Sequence, residues 1–298
     1  MHKSGFVNII GNPNVGKSTL VNALIGDKLS IISSKPQTTR HRILGIWNDD
    51  EHQVIFSDSP GIIQNPKYSL QQKMNSFAYS SFEDGDIILF VTDIFEKYEG
   101  DEKVIKLLNK MEVPKYLVIN KIDQEFAEYS RVDCLSFWSK LVDFKNHFFI
   151  SAKEKIGVDM IIEEIKSVLP EGPEYFPKDQ WTDKTERFFA SEIIRNHILR
   201  LYKQEIPYSC EVNIDSFKEG ASKGGPIINI SAQIYVERKT QKAIIIGKNG
   251  EAIKKLGTEA RKDLEEFFQS KIFLQTNVSV KEDWRNNDRI LRSFGYSE

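Results

Sequence analysis

Eight residues near the start, GNPNVGKS at Gly11–Ser18, leave the chain few folds to choose from. They match G-x-x-x-x-G-K-[ST] at every fixed position, follow a strand-like run (GFVNII) and open a helix-like run (KSTLVNALIG). A strand that ends in a glycine turn and feeds a helix belongs in a buried, mostly parallel sheet with helices on both faces. The glycines let successive N–H groups curl around phosphate oxygens, and the helix N-terminus adds favourable partial charge. Lys17 is placed to reach β- and γ-phosphates, and Ser18 to hold Mg²⁺. The candidate nucleotide-binding residues here are Gly11, Asn12, Pro13, Asn14, Val15, Gly16, Lys17, Ser18 and Thr19.

The following sequence supports that frame. HRILGIW and HQVIFSD alternate around the polar joint NDDE and read as a hairpin, giving one antiparallel edge. DIILFVTD, KYLVINK and HFFISA read as further strands. DEKVIKLLNKM, with Val104, Leu107, Leu108 and Met111 at helical spacing, and VDMIIEEIKSVL read as helices between and after them. Three more motifs fall at strand ends, the edge where sheet ligands bind. DSPG begins with Asp58, a Walker-B-type Mg²⁺ ligand, and ends with Gly61, whose amide can meet a γ-phosphate. NKID supplies Asn120, Lys121 and Asp123, whose carboxylate can accept both N1–H and N2–H₂ of guanine; adenine offers neither donor. SAK (Ser151, Ala152, Lys153) can present a backbone N–H to guanine O6. Together these describe a guanine-nucleotide site for GTP or GDP with Mg²⁺.

LPEGPEYFPKDQW at 169–181, with three prolines and a glycine, cannot be regular throughout and marks a boundary. The expected domains are 1–170, a linker 171–183, a second domain 184–281 and a polar tail 282–298. Charge divides there too. Residues 1–182 hold 21 Lys and Arg against 26 Asp and Glu, a net −5; residues 183–298 hold 20 against 17, a net +3. The second part opens with the helix pattern KTERFFASEIIRNHILRLY, with Phe188, Ile194 (or Ile193), Ile198 and Leu201 on one face. Two strands, a glycine loop, a basic helix and a last strand follow.

That second loop, GKNG at Gly247–Gly250, fits the GXXG loop that clamps single-stranded nucleic acid in KH domains. From Arg238 to Lys262 there are eight basic and two acidic residues, a local +6 and an electrostatic footprint for phosphates. Candidate RNA-binding residues are Arg238, Lys239, Lys242, Ile246, Gly247, Lys248, Asn249, Gly250, Lys254 and Lys255. Ile253, Leu256, Ala260, Leu264 and Phe267 should form the core face of the basic helix. KAIIIG favours a strand by propensity, but the α-β-β-α-α-β layout demands a helix there, and the layout is preferred.

These motifs, and above all SKPQTTRHRILGI at Ser33–Ile46 and FFASEIIRNHILRLYKQEIPYS at Phe188–Ser209, resemble the Era family of bacterial GTPases. The family joins a Ras-like P-loop domain to a KH domain, and the resemblance covers nearly the whole chain. It implies GTP hydrolysis, in which Lys17, Thr39 and Gly61 take catalytic roles; no arginine of the chain is an evident finger, so intrinsic turnover should be slow. Either Thr39 or Thr38, with Thr39 favoured, would join Ser18 and Asp58 at Mg²⁺. It implies binding near the 3′ end of 16S rRNA and a role in assembly of the small ribosomal subunit, as a monomer. Asn14 matches an asparagine that holds K⁺ in some related GTPases; the plainer reading is that it caps the loop. The glutamine that orients water in Ras-like enzymes is replaced by Ile62, and Gln64 has the wrong spacing for that role. A non-hydrolysing GTP-binding scaffold is the rival that Ile62 favours.

Two distant cysteines and scattered histidines offer neither a disulfide framework nor a zinc signature. The apolar runs are too short to span a bilayer, and with the first strand-like run starting at Phe6 no signal peptide is expected. The expected location is cytoplasmic, in part peripheral on the inner face of the cell membrane. The second rival reading is a membrane-associated GTP-dependent signalling switch whose basic face meets anionic lipid.

Overall fold

The computed structural model describes residues 2–296 except 31, 33, 34, 36, 97–101, 127–129 and 223–224. Its contacts divide the chain into two units, one of residues 1–67 and 71–183, the other of 184–297 with 68–70.

The first unit runs β1 (Lys3–Ile10), α1 (Lys17–Ile25), β2 (Ile43–Asn48), β3 (His52–Asp58), α2 (Ser69–Ser80), β4 (Ile87–Asp93), α3 (Glu102–Lys110), β5 (Lys115–Asn120), α4 (Arg131–Trp138), β6 (Asn146–Phe149) and α5 (Val158–Val168). The sheet order is β2-β3-β1-β4-β5-β6, and β2 is antiparallel to β3 while the other pairs are parallel. All seven residues of β4 are buried, as a central strand covered on both faces requires. From β1 the chain proceeds to β3 on one side and β4 on the other, so β1 lies at a topological switch point, where a crevice opens at the carboxyl ends of the strands.

Residues 171–183, expected as a linker, are instead fastened to this unit. Gln53 Oε1 accepts from the N–H groups of Tyr175 (2.7 Å) and Phe176 (3.0 Å), and its Nε2 donates to Phe176 O. Ile46 N donates to Trp181 O, and Leu44 N to Asp183 Oδ1. The prolines prevent regular structure but leave enough backbone groups to bond the hairpin.

The second unit runs α6 (Glu186–Leu201), β7 (Glu211–Ser222), β8 (Gly225–Val236), α7 (Lys239–Ile246), α8 (Glu251–Phe268), β9 (Lys271–Val280) and α9 (Asp288–Ser293). In its sheet β8 is central, antiparallel to β7 and parallel to β9. Alternate residues of β8, from Ile228 to Val236, are buried against Ala190, Ile194 and Ile198 of α6 and Leu256, Ala260 and Leu264 of α8. Phe188 is only half-buried and Phe189 takes the inner position, because the helix begins at Glu186 and sets the phase of its face. Ile253 and Phe267 of α8 are likewise half-buried.

The polar tail expected from 282 gives way to a packed segment. Trp284, Leu291 and Tyr296 are fully buried. Trp284 Nε1 donates to Ser209 O and Tyr296 Oη to Glu211 Oε2. Three apolar anchors spaced along a charged stretch escape a composition reading but find a pocket in the fold. Among the described residues, no helix is long and apolar enough to cross a membrane.

Candidate functional site

The nucleotide site assembles at the carboxyl ends of β1, β3, β4 and β5. Gly11 has φ 155°, and a Cβ there would come within 2.1 Å of Val91 O, so the turn out of β1 must be glycine. At Gly16, φ is 97° and a Cβ would stand 2.3 Å from Asn120 Nδ2. The loop is gripped from behind by NKID: Asn120 Nδ2 donates to Val15 O (2.9 Å) and Lys121 Nζ to Asn14 O (2.8 Å). Asn120 Oδ1 accepts from Ala152 N at 3.0 Å, tying SAK to the same centre. Asp93, at the end of β4, pairs with Lys121.

Lys17 is buried, with Nζ donating to Gly11 O (2.9 Å) and Asn12 O (2.8 Å). Burial lowers its pKa to about 8, against the attraction of Asp58 and Glu96. Ser18 Oγ donates to Asp58 Oδ2 (2.7 Å) and lies 2.9 Å from Thr39 Oγ1. Thr38 instead turns its hydroxyl to Lys35 O, 2.6 Å away. Burial pushes the Asp58 carboxyl up, partly offset by the Ser18 hydroxyl and by Lys17. Its Oδ1 is buried without a hydrogen-bond partner among the described residues. Two hydroxyls and a carboxylate, one of whose oxygens is buried without a partner, are a donor set suited to a hard cation such as Mg²⁺.

At the opposite end of the site, Asp123 is exposed, and its pKa is lowered first by a hydrogen bond from Ser151. It therefore stands ready as an ionised acceptor. Asn14 is exposed, with φ 67°. Lys153 is exposed and paired with Glu154.

Gly61 packs against the P-loop, where a Cβ would meet Pro13 N and Cγ at 2.7 Å. Ile62 turns inward and is buried in the core, so it offers nothing to a water molecule. A cavity of about 370 Å³ opens beside Gly61, lined also by Asn12, Pro13, Gln37 and Gln64. The motifs did not announce Thr92, Asp93 and Glu96. Thr92 and Asp93 end β4 and Glu96 follows it, without a recognisable signature, and only their place at the sheet's ligand-binding edge could have singled them out.

The second loop occupies the α7–α8 joint. Gly247 has φ 72° and ψ 176°, a conformation open essentially to glycine, and its Cβ would fall 2.6 Å from that of Ala252. Asn249 and Gly250 are left-handed, at φ 52° and 76°. Lys248 and Asn249 project to solvent at the tip, and Arg238, Lys239, Lys254 and Lys255 are exposed nearby in the chain, with Lys242 half-buried. The KAIIIG run is helical. Ile245 is fully buried, Ile246 is half-buried against the core, and Ile244 is the isoleucine that stays exposed.

Comparison with known proteins gives a consistent picture. A family model described as "50S ribosome-binding GTPase" matches residues 6–121, and one described as "KH domain" matches 205–285. The GTPase Era of Syntrophus aciditrophicus is 46% identical, over 100% of this chain and 96% of that protein. The GTPase Era of Clostridium kluyveri is also 46% identical, over 99% and 100%. A crystal structure of an Aquifex aeolicus Era variant bound to GDP·AlF₄⁻ superposes with TM-score 0.92 at 37% identity, covering 99% of this chain and all of that one. Another, of Era in complex with MgGDPNP and nucleotides 1506–1542 of 16S ribosomal RNA, gives 0.91 at 36% identity, with both chains fully covered.

Proposed function

The chain belongs to the Era family of GTPases, and from that membership we propose that it is a GTP-hydrolysing switch that binds the 3′ region of 16S rRNA through its KH domain and serves assembly of the small ribosomal subunit. The observation that carries this reading is the pair of glycine loops, each opening a helix, one in a guanine-nucleotide constellation and the other in a basic, solvent-facing joint.

At the first loop the backbone N–H groups cradle the phosphates, and Lys17 carries positive charge toward the β- and γ-phosphates. Ser18, Thr39 and Asp58 would hold Mg²⁺, which when bound neutralises charge developing on the phosphoryl oxygens. The 2.9 Å approach of Thr39 to Ser18 favours Thr39 over Thr38 in that set. Asp123 selects guanine by accepting two N–H donors. Gly61 turns its amide to the γ-phosphate, and release of Thr39 and Gly61 on hydrolysis frees the switch segments. With Ile62 in the core, no side chain at that position orients the attacking water, and intrinsic turnover is slow. Asn14, exposed in the loop, is the residue to which a K⁺ beside the phosphates would bind.

At the second loop Gly247 and Gly250 permit close approach of an RNA backbone, and the basic residues neutralise its phosphates. If the two ligands are coupled, the effect is reciprocal. RNA affinity should then be roughly fivefold or more higher with a non-hydrolysable GTP analogue than with GDP. Equal affinities in the two states would sink the coupling.

A further inference from the structure

We propose that Glu96 is a positioning residue for GTP hydrolysis, holding the front of the phosphate loop through Asn12 so that Pro13 and Gly61 meet the γ-phosphate in register.

Glu96 follows β4 and its carboxylate turns toward the P-loop. One oxygen accepts from Asn12 Nδ2 and the other from Thr92 Oγ1. Thr92 is fully buried at the end of β4, so the acid is anchored to the most enclosed strand of the sheet. Asn12 O in turn accepts from Lys17 Nζ at 2.8 Å. Pro13, the next residue, packs against Gly61 so closely that a Cβ there would come within 2.7 Å of it. A continuous path of contacts therefore runs from Glu96 through Asn12 and Pro13 to Gly61.

The loop has two separate grips. Asn120 and Lys121 hold the carbonyls of Val15 and Asn14 from behind, beside the N–H groups that take the α- and β-phosphates. Glu96 holds Asn12 at the front, the side that touches Gly61. GDP uses the rear of the loop, whereas GTP and its transition state use both. Loosening the front should therefore harm the triphosphate state and the chemistry, because small displacements at a reacting centre are amplified in rate. Burial pushes the Glu96 carboxyl up, opposed by the Thr92 and Asn12 hydrogen bonds and by Lys17. Folding alone would not favour a half-buried acid with these partners over an apolar side chain.

The test uses the full-length chain as wild type, Glu96→Gln, Asn12→Ala and the double variant. Affinity for GDP and for a non-hydrolysable GTP analogue, saturated turnover and thermal midpoint are measured for each. Each single variant should lower kcat about tenfold and weaken the analogue about fivefold, with a clearly smaller loss of GDP affinity. The double variant should resemble either single one, because the two residues act as one unit. Asn12→Ala, at a half-buried site, keeps the question open should Glu96→Gln fold poorly. Equal weakening of both nucleotides, additive effects, or unchanged turnover would overturn the proposal. The inference rests on the nucleotide-site reading, and wild-type affinity for GDP and the analogue tests that reading separately.

Discussion

The two glycine loops share a design and differ in what surrounds them. Gly11–Ser18 is enclosed: Lys17 is buried, and Asn120, Lys121 and Glu96 hold the loop from two sides. Gly247–Gly250 is a tip, with Lys248 and Asn249 in solvent and the nearby basic residues mostly exposed. Enclosure suits a small ligand recognised atom by atom; exposure suits a polymer whose phosphates must be met in series and at high dielectric. The same backbone device thus yields stringent specificity in one place and salt-sensitive, adaptable binding in the other.

If that contrast holds, damage to the enclosed loop should be severe and confined to the nucleotide. Lys17→Ala should reduce GTP turnover by roughly 10²–10³-fold, as removal of one buried electrostatic partner of the transition state does. RNA affinity measured without nucleotide should be unchanged. Asp123→Ala should weaken guanine nucleotides by about 10²-fold, since two charge-assisted hydrogen bonds disappear together, and competition with ATP should show the selectivity narrowing.

pH sharpens the comparison. Free Lys17 loses its proton near pH 8, and a bound triphosphate favours the charged form, so its pKa is higher in the complex. Below pH 8 the lysine is charged in both states and affinity is flat in this respect. Above it, binding must take up a proton, and GTP affinity should fall by up to about tenfold per unit. Titration calorimetry from pH 7 to 9.5 in two buffers reads both the affinity and the proton uptake. The exposed loop should give the smallest single effects. Lys254→Gln with Lys255→Gln should weaken RNA only about three- to tenfold, while the log–log salt slope becomes shallower by about 0.7 for each phosphate that the variant leaves unneutralised.

Legibility in the sequence followed the same division. The candidate nucleotide site was readable because each motif is short, contiguous and tied to a strand end, and the fold brings Lys17, Ser18, Asp58 and Asn120 together around one loop. The α-β-β-α-α-β order was readable too, including a helix where KAIIIG favours a strand, because layout outweighed propensity. What escaped notice depends on partners distant in the chain. Trp284 is buried with its indole N–H satisfied by Ser209 O, 75 residues earlier, and 171–183 is held by Gln53, more than a hundred residues earlier. Phe189 rather than Phe188 faces inward because the helix start fixes the phase, which periodicity alone does not. Glu96 matters through Asn12, a contact across 84 positions that no local pattern encodes.

The measurement that tests the central claim most directly is binding of a short single-stranded RNA, matching the 3′ end of small-subunit rRNA, to wild type and to a Lys248→Asp, Asn249→Asp variant. Both substitutions fall on exposed side chains and leave the two glycines in place. With both proteins loaded with a GTP analogue, the account predicts that the variant loses RNA binding and keeps the wild-type affinity for the nucleotide. RNA binding that survives in the variant, or that is lost only together with nucleotide affinity, would contradict the assignment of two loops to two ligands.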